Sequence, residues 1–172
     1  MTIRMSRAQL EVVLAQANAE APRECCGLLL GTDDVVAKVL PAQNKAAELP
    51  EPRDPQVYYH IDDRTQLDAV RLERELGWEV IGIYHSHPAS PARPSETDRA
   101  LAFWQTPHYV IVSLADPSRP DVRAFRITDR TDARGTPVTD PAGNPVRDVV
   151  DERVVVTRRP IGNVVNEEVV VR

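Results

Sequence analysis

Lysine is nearly absent: of 21 basic residues only Lys38 and Lys45 are lysines, and 26 acidic residues outnumber the basic ones. A net charge of −5 offers no field for a polyanion, which excludes nucleic acid as a partner. Cysteine is confined to the neighbours Cys25 and Cys26. Two adjacent thiols make no disulfide framework. No apolar run approaches the roughly 20 residues that cross a bilayer, and the opening "MTIRMSRAQL" lacks the apolar centre of a secretory signal. These absences lead to the expectation of a cytoplasmic protein with no membrane partner. What is present, 42% hydrophobic residues in 172, suffices for one domain with a core and an appendage.

Periodicity sets the elements. Ser6 and Gln9 form a capping box before a helix carrying Leu10, Val13, Leu14 and Ala17, closed by Pro22. "CGLLLG" (26–31) reads as a buried strand and "VVAKVLPA" (35–42) as its hairpin partner, with Asp33 and Asp34 in the turn. Residues 44–56 are polar and proline-rich, a loop. "VYYHI" (57–61) reads as a strand. Asp62 or Asp63 then caps a helix with Leu67, Val70, Leu72 and Leu76, stopped by Gly77. "WEVIGIYHSH" (78–87) is a strand, Ser95 caps a helix through Phe103, and 108–115 and 122–127 are further strands. This mixture predicts an α/β fold, one mixed sheet sandwiched by helices.

After Thr128 the texture changes. The predicted organisation is a domain over 1–128 followed by an extension over 129–172. Its first part is turn-rich and reads as a linker or mobile loop. Beyond it, "DVVDERVVV" (148–156) is echoed by "NVVNEEVVV" (163–171). The echo is read as a β-hairpin or, equally, a frayed flexible tail. Shielding of a cleft, homodimerisation and partner binding all stay open for this extension.

The chemistry concentrates in "YHSHPASPARPSETD" (84–98). Alternate side chains of a strand share a face, so His85 and His87 point one way and Ser86 the other. A catalytic zinc takes three protein ligands and keeps one position open. Asp98, one turn into the helix that Ser95 begins, is the natural third ligand. Pro88, Pro91 and Pro94 stiffen the connecting loop and reduce the entropy lost on closing it. Hydrolysis also needs a proton carrier, and Glu24, just before the buried strand, is the candidate. Each piece has a plainer alternative. The histidines end a strand, Ser95 and Asp98 form an N-cap with an acidic first turn, and Glu24 is a surface carboxylate. Spacing favours the joint reading: H-x-H, seven residues, Ser, two residues, Asp.

With "ECCGLLLG" upstream, that pattern resembles the JAMM (MPN-plus) metalloproteases, in particular their small bacterial branch, over residues 3–127. The resemblance implies His85, His87 and Asp98 as Zn2+ ligands with water completing the coordination. It implies Glu24 as general acid/base, Ser95 as a donor to the tetrahedral oxyanion, and Ser86 as a supporting residue behind the ligands. It further implies cleavage after the C-terminal Gly-Gly of a ubiquitin-like or sulfur-carrier protein. The competing readings are a zinc hydrolase of another peptide or small amide, and a non-catalytic scaffold of the same fold. Cys25 and Cys26 read as core packing, with Cys25 adjoining the site. His60 and His108 read as structural, and Trp78, Phe103, Trp104 and Tyr109 as core.

Overall fold

A computed structural model describes residues 1–158 and the backbone of 168–171. The chain opens with strand β1 (Thr2–Ser6) and turns into helix α1 (Arg7–Glu20) at Ser6. Both bonds of the Ser6–Gln9 capping box are formed, and the helix buries Leu10, Val13 and Ala17. β2 (Cys26–Thr32) and β3 (Val35–Ala42) form a hairpin whose turn residues Asp33 and Asp34 adopt φ of 50° and 62°. Left-handed φ at both central positions suits the twist of paired strands, and Asp tolerates it. Helix α2 (Asp63–Leu76) starts at Asp62, whose side chain accepts from Thr65 N, and stops at Gly77 with φ 67°. β4 (Glu79–His87), helix α3 (Glu96–Leu101), β5 (His108–Ser113), β6 (Asp121–Asp129), β7 (Arg147–Thr157) and β8 (Glu168–Val171) complete the order.

The strands form one mixed sheet in the order β1-β3-β2-β4-β5-β6-β7-β8, with a further β1–β7 pairing. β4 runs antiparallel to β2 and parallel to β5. One face packs Ile3, Met5, Leu29, Val110 and Val112 with Leu10 and Val13 of α1; the other packs Leu28, Leu30, Ile83, Ile111 and Phe125 with Ala69 of α2. The fold is therefore α/β with helices on both sheet faces. Cover on both faces explains why β2 is continuously apolar: Leu28, Leu29 and Leu30 alternate between the two cores. Gly27 stands opposite Tyr84, where an added Cβ would lie 2.4 Å from the Tyr84 hydroxyl and 2.5 Å from Leu40 O. That hydroxyl donates to Gln16 Oε1 at 2.6 Å and ties β4 to α1.

Several expectations need correction. β1 adds a strand to the expected elements: Thr2–Ser6 pairs in parallel with Arg153–Thr157 of β7, a partner about 150 residues away that no local pattern announces. Residues 57–61 are not a strand; only Ile61 forms a bridge, to Asn44. Their backbone is instead bonded by the Asn44 side chain, which donates to Tyr58 O at 3.0 Å and accepts from His60 N at 3.1 Å. α2 faces the sheet through Thr65 and Ala69, leaving Leu67 69% and Val70 42% exposed. α3 ends at Leu101 rather than Phe103, and Phe103 and Trp104 are 72% and 48% exposed rather than core.

Residues 129–146 fold into two successive turns of one design. Asp132 Oδ1 accepts from Arg134 N and Thr136 N, and Asp140 Oδ1 from Ala142 N and Asn144 N. Gly135 and Gly143 take the left-handed positions, with φ of 81° and 87°. β7 follows, its first half antiparallel to β6 and its second half paired with β1 and β8. Of the expected second Val-rich strand, 168–171 pairs antiparallel with 154–157; residues 163–167 lie outside the described residues. His108 is buried and structural: its two ring nitrogens face Glu152 of β7 and Asp34 of the β2–β3 turn, and Arg126 also reaches Glu152.

Candidate metal and proton-transfer site

β4 delivers the two histidines. His85 and His87 share the Ile83 face of the sheet by strand alternation, and both are buried. Their Nε2 atoms converge to 3.0 Å. The proline loop folds back beneath them: Pro91 O lies 2.9 Å from His87 Nδ1, and Ser90 O accepts from Ser113 Oγ of β5 at 2.7 Å. The loop thereby hands the chain to α3 with Asp98 aimed at the histidines. Asp98 Oδ1 is 3.2 Å from His85 Nε2 and Oδ2 is 3.4 Å from His87 Nε2, with the carboxylate side chain only 8% exposed. Among the described residues this is the group of metal-ligating side chains that gathers, its ligand atoms within 4.8 Å of one another.

Glu24 arrives by register. Cys26 stands opposite His85 in the antiparallel β2–β4 pair, so continuing that pairing two residues back sets Glu24 beside His87 and on the same face. Glu24 Oε1 lies 4.0 Å from His87 Nε2. Its backbone is pinned on both sides, N donating to Pro55 O at 2.7 Å and O accepting from Asn44 Nδ2 at 2.9 Å. Ser86 faces the other way, where its Oγ accepts from Cys25 N at 2.8 Å and its N donates to Cys25 O at 3.0 Å. Ser86 thus fastens β4 to the segment that carries Glu24. Cys25 and Cys26 are buried free thiols.

Ser95 caps α3, accepting from Asp98 N at 3.1 Å and donating from Oγ to Asp98 Oδ2 at 2.7 Å, while Ser95 N reaches the same oxygen at 2.7 Å. Its hydroxyl thus orients the carboxylate. The N-cap reading of this pair holds, and the same capping box also fixes where Asp98 points, which is toward the histidines.

Electrostatics separate the two carboxylates. Burial raises the Glu24 carboxyl to about 7; the charges of His85 and His87 lower it, and Asp98 adds to the rise. Burial also raises Asp98, but the His85 charge and hydrogen bonds from His85, His87 and Ser95 outweigh it and hold Asp98 well below the usual carboxylate range. One carboxylate stays ionised and the other exchanges protons near neutrality.

Two neighbours of the site escape a local reading. Asn44, in the polar loop, binds the backbone of both Glu24 and residues 58–60. Tyr59 stacks on His85, ring centroids 4.6 Å apart at 22°. An apolar groove of about 240 Å³ lined by Tyr59, Ile61, Leu101, Phe103 and Trp104 runs up to Asp98.

Residues 6–128 match the family model described as prokaryotic homologs of the JAB domain. Among curated relatives, the CysO-cysteine peptidase of Mycobacterium tuberculosis is 38% identical over 122 residues, covering 70% of this chain and 79% of that protein. The probable TtuB-protein conjugate cleaving protease of Thermus thermophilus is 35% identical over 130 residues, covering 75% and 78%. The solution structure of protein DSY2949 from Desulfitobacterium hafniense is similar with a TM-score of 0.68 at 33% identity, covering 94% of this chain and 96% of that one.

Proposed function

The chain belongs to the family of prokaryotic homologs of the JAB domain, and from that membership we propose that it is a zinc peptidase cleaving after the C-terminal Gly-Gly of a ubiquitin-like or sulfur-carrier protein. The observation that carries the reading is the convergence of two imidazole nitrogens and one carboxylate beside a second carboxylate of opposite proton affinity. The donor set fits zinc. With metal–nitrogen bonds of about 2.0–2.1 Å, two ligand atoms at a tetrahedral angle lie about 3.3 Å apart. The two imidazole nitrogens are 3.0 Å apart, and each has a different Asp98 oxygen near that distance, Oδ1 3.2 Å from His85 and Oδ2 3.4 Å from His87; with one ligand atom taken from each residue, all three lie within 4.8 Å of one another.

His85, His87 and Asp98 would hold the ion. When bound, it supplies Lewis acidity, polarising the scissile carbonyl and acidifying water. Glu24 takes a proton from the attacking water and returns it to the leaving amine. A carboxyl with its affinity displaced toward neutrality can do both. Ser95 holds Asp98 with its single hydroxyl hydrogen, and to serve as donor to the oxyanion that hydroxyl turns away from Asp98 Oδ2, leaving the Ser95 N–H on that oxygen; Ser86 keeps Glu24 in register with the histidines. The groove up to Asp98 is apolar and leads to the ligand cluster, a path for an extended tail whose last residues lack side chains. The relatives' names, a CysO-cysteine peptidase and a TtuB-protein conjugate cleaving protease, point to the same kind of substrate.

No helix among the described residues is long and apolar enough to cross a membrane. We place the protein in the cytoplasm, where two free thiols stay reduced; homodimerisation through residues 129–172 is one of the three roles open to that extension, and sedimentation tests it. The functional test is incubation of the purified chain with C-terminal fusions of ubiquitin-fold proteins ending in Gly-Gly, with and without chelator. Release of the fused partner that stops on chelation is expected. Chelator-insensitive cleavage, or equal cleavage of tails without Gly-Gly, refutes the reading.

A further inference from the structure

Both imidazoles turn Nε2 toward the ligand cluster, so a metal-binding state requires each to carry its proton on Nδ1. A ligating histidine ordinarily donates that N–H to an acceptor, which fixes the ring. His87 does so, with Pro91 O at 2.9 Å. His85 does not: its Nδ1 is a buried side-chain polar atom with no hydrogen-bond partner. The ring is fully buried all the same, and what lies flat against it is Tyr59, with 4.6 Å between centroids and 22° between planes.

We propose that Tyr59 is the positioning residue of His85, its stacked ring standing in for the second hydrogen bond and keeping Nε2 turned toward the metal. The inference rests on the reading of His85 as a ligand. Stacking restrains a ring against tilting out of its plane, the motion an Nδ1 hydrogen bond would otherwise resist. Tyr59 can serve as a fixed wall because its own backbone is clamped on both sides. Asn44 Nδ2 donates to Tyr58 O at 3.0 Å, Asn44 Oδ1 accepts from His60 N at 3.1 Å, and Lys45 N donates to His60 O at 2.8 Å. This clamp also accounts for the failure of residues 57–61 to join the sheet. The same Asn44 holds the carbonyl of Glu24, so one amide side chain fixes the distance between proton carrier and ligand wall.

The test uses the full chain and the variants Tyr59→Phe and Tyr59→Leu. Zinc affinity is read by competition with a chromophoric chelator, and the His85 ring protons by NMR. Tyr59→Phe keeps the stacking face and is expected to bind zinc within about twofold of the parent. Tyr59→Leu is expected to bind about 10–100-fold more weakly, the usual loss when a ligand's outer support is removed. His85 ring protons are expected upfield in the parent and in Tyr59→Phe, with the upfield shift gone in Tyr59→Leu. Parental affinity in Tyr59→Leu overturns the proposal, as does a loss in Tyr59→Phe equal to that in Tyr59→Leu, which would assign the effect to the hydroxyl. Should Tyr59→Leu fail to fold, the ring shifts of the parent and Tyr59→Phe decide alone, and unshifted resonances overturn the proposal. A parent chain that binds no zinc defeats the metal-site reading itself, which the ring shifts of the metal-free protein keep separate from the stacking.

Discussion

Replacing Glu24 with Gln separates proton transfer from packing. The two side chains have nearly the same shape, but Gln neither titrates nor carries a proton to the leaving group. Loss of a positioned acid/base costs about 10²–10⁴ in rate, so cleavage of a Gly-Gly fusion should fall at least about 100-fold while zinc still binds. The same substitution has a stability signature in chelator-treated protein. Burial raises the Glu24 carboxyl from 4.5 to about 7. A carboxyl whose folded value lies above its unfolded value favours the fold when protonated. That contribution is fully present below 4.5 and is lost as pH rises through 7. The displacement corresponds to about 3 kcal/mol in total, at 1.36 kcal/mol per pH unit. Most of it falls between pH 5 and 8.5, about 2.5 kcal/mol. The variant lacks this loss; because the Glu24 charge also raises the proton affinity of His87, the gap between the two melting curves reports Glu24 together with its coupling to that histidine. Over that range the variant's melting temperature should gain about 5–10 °C on the parent's, at about 2–4 °C per kcal/mol for a chain of this size. Differential scanning fluorimetry at the two pH values measures it. A gap that does not change with pH refutes the buried, proton-holding Glu24, whatever happens to activity.

Phe103→Ser and Trp104→Ser remove exposed walls of the groove; in steady-state kinetics on a tailed substrate KM should rise at least severalfold with kcat little changed. Gly27→Ala puts a methyl 2.5 Å from the backbone oxygen of Leu40, which cannot step aside, and 2.4 Å from the Tyr84 hydroxyl; urea titration should show a loss of about 1–3 kcal/mol. Glu152→Gln breaks the buried contacts with His108 and Arg126 and should cost about 3 kcal/mol at pH 7. Burial pushes the Glu152 carboxyl up, but the hydrogen bond and charge of His108 and the charge of Arg126 outweigh it and hold it below 4.5. Its stabilisation is present above 4.5 and lost as pH falls through the folded value, so acid denaturation curves of parent and variant should converge below pH 4.5.

The local chemistry of this chain is written in the order of its residues. A period of two puts His85 and His87 on one face; Ser6–Gln9 and Ser95–Asp98 start helices because short polar side chains satisfy the first free N–H groups; Asp33 and Asp34 accept the turn. Each of these forces acts within about four residues. What only the tertiary structure decided acts across the sheet. The antiparallel register brings Glu24 to His87 across some 60 residues, β1 pairs with β7 across about 150, and Asn44 takes up backbone groups of 58–60 that a strand neighbour would otherwise bind. The exposed Phe103 and Trp104 show the same limit, since hydrophobicity alone does not say which apolar residues the core has room to cover. Pairing over such separations depends on which long loops close, a choice made by the whole chain's entropy and burial and left unmarked in any short window of sequence.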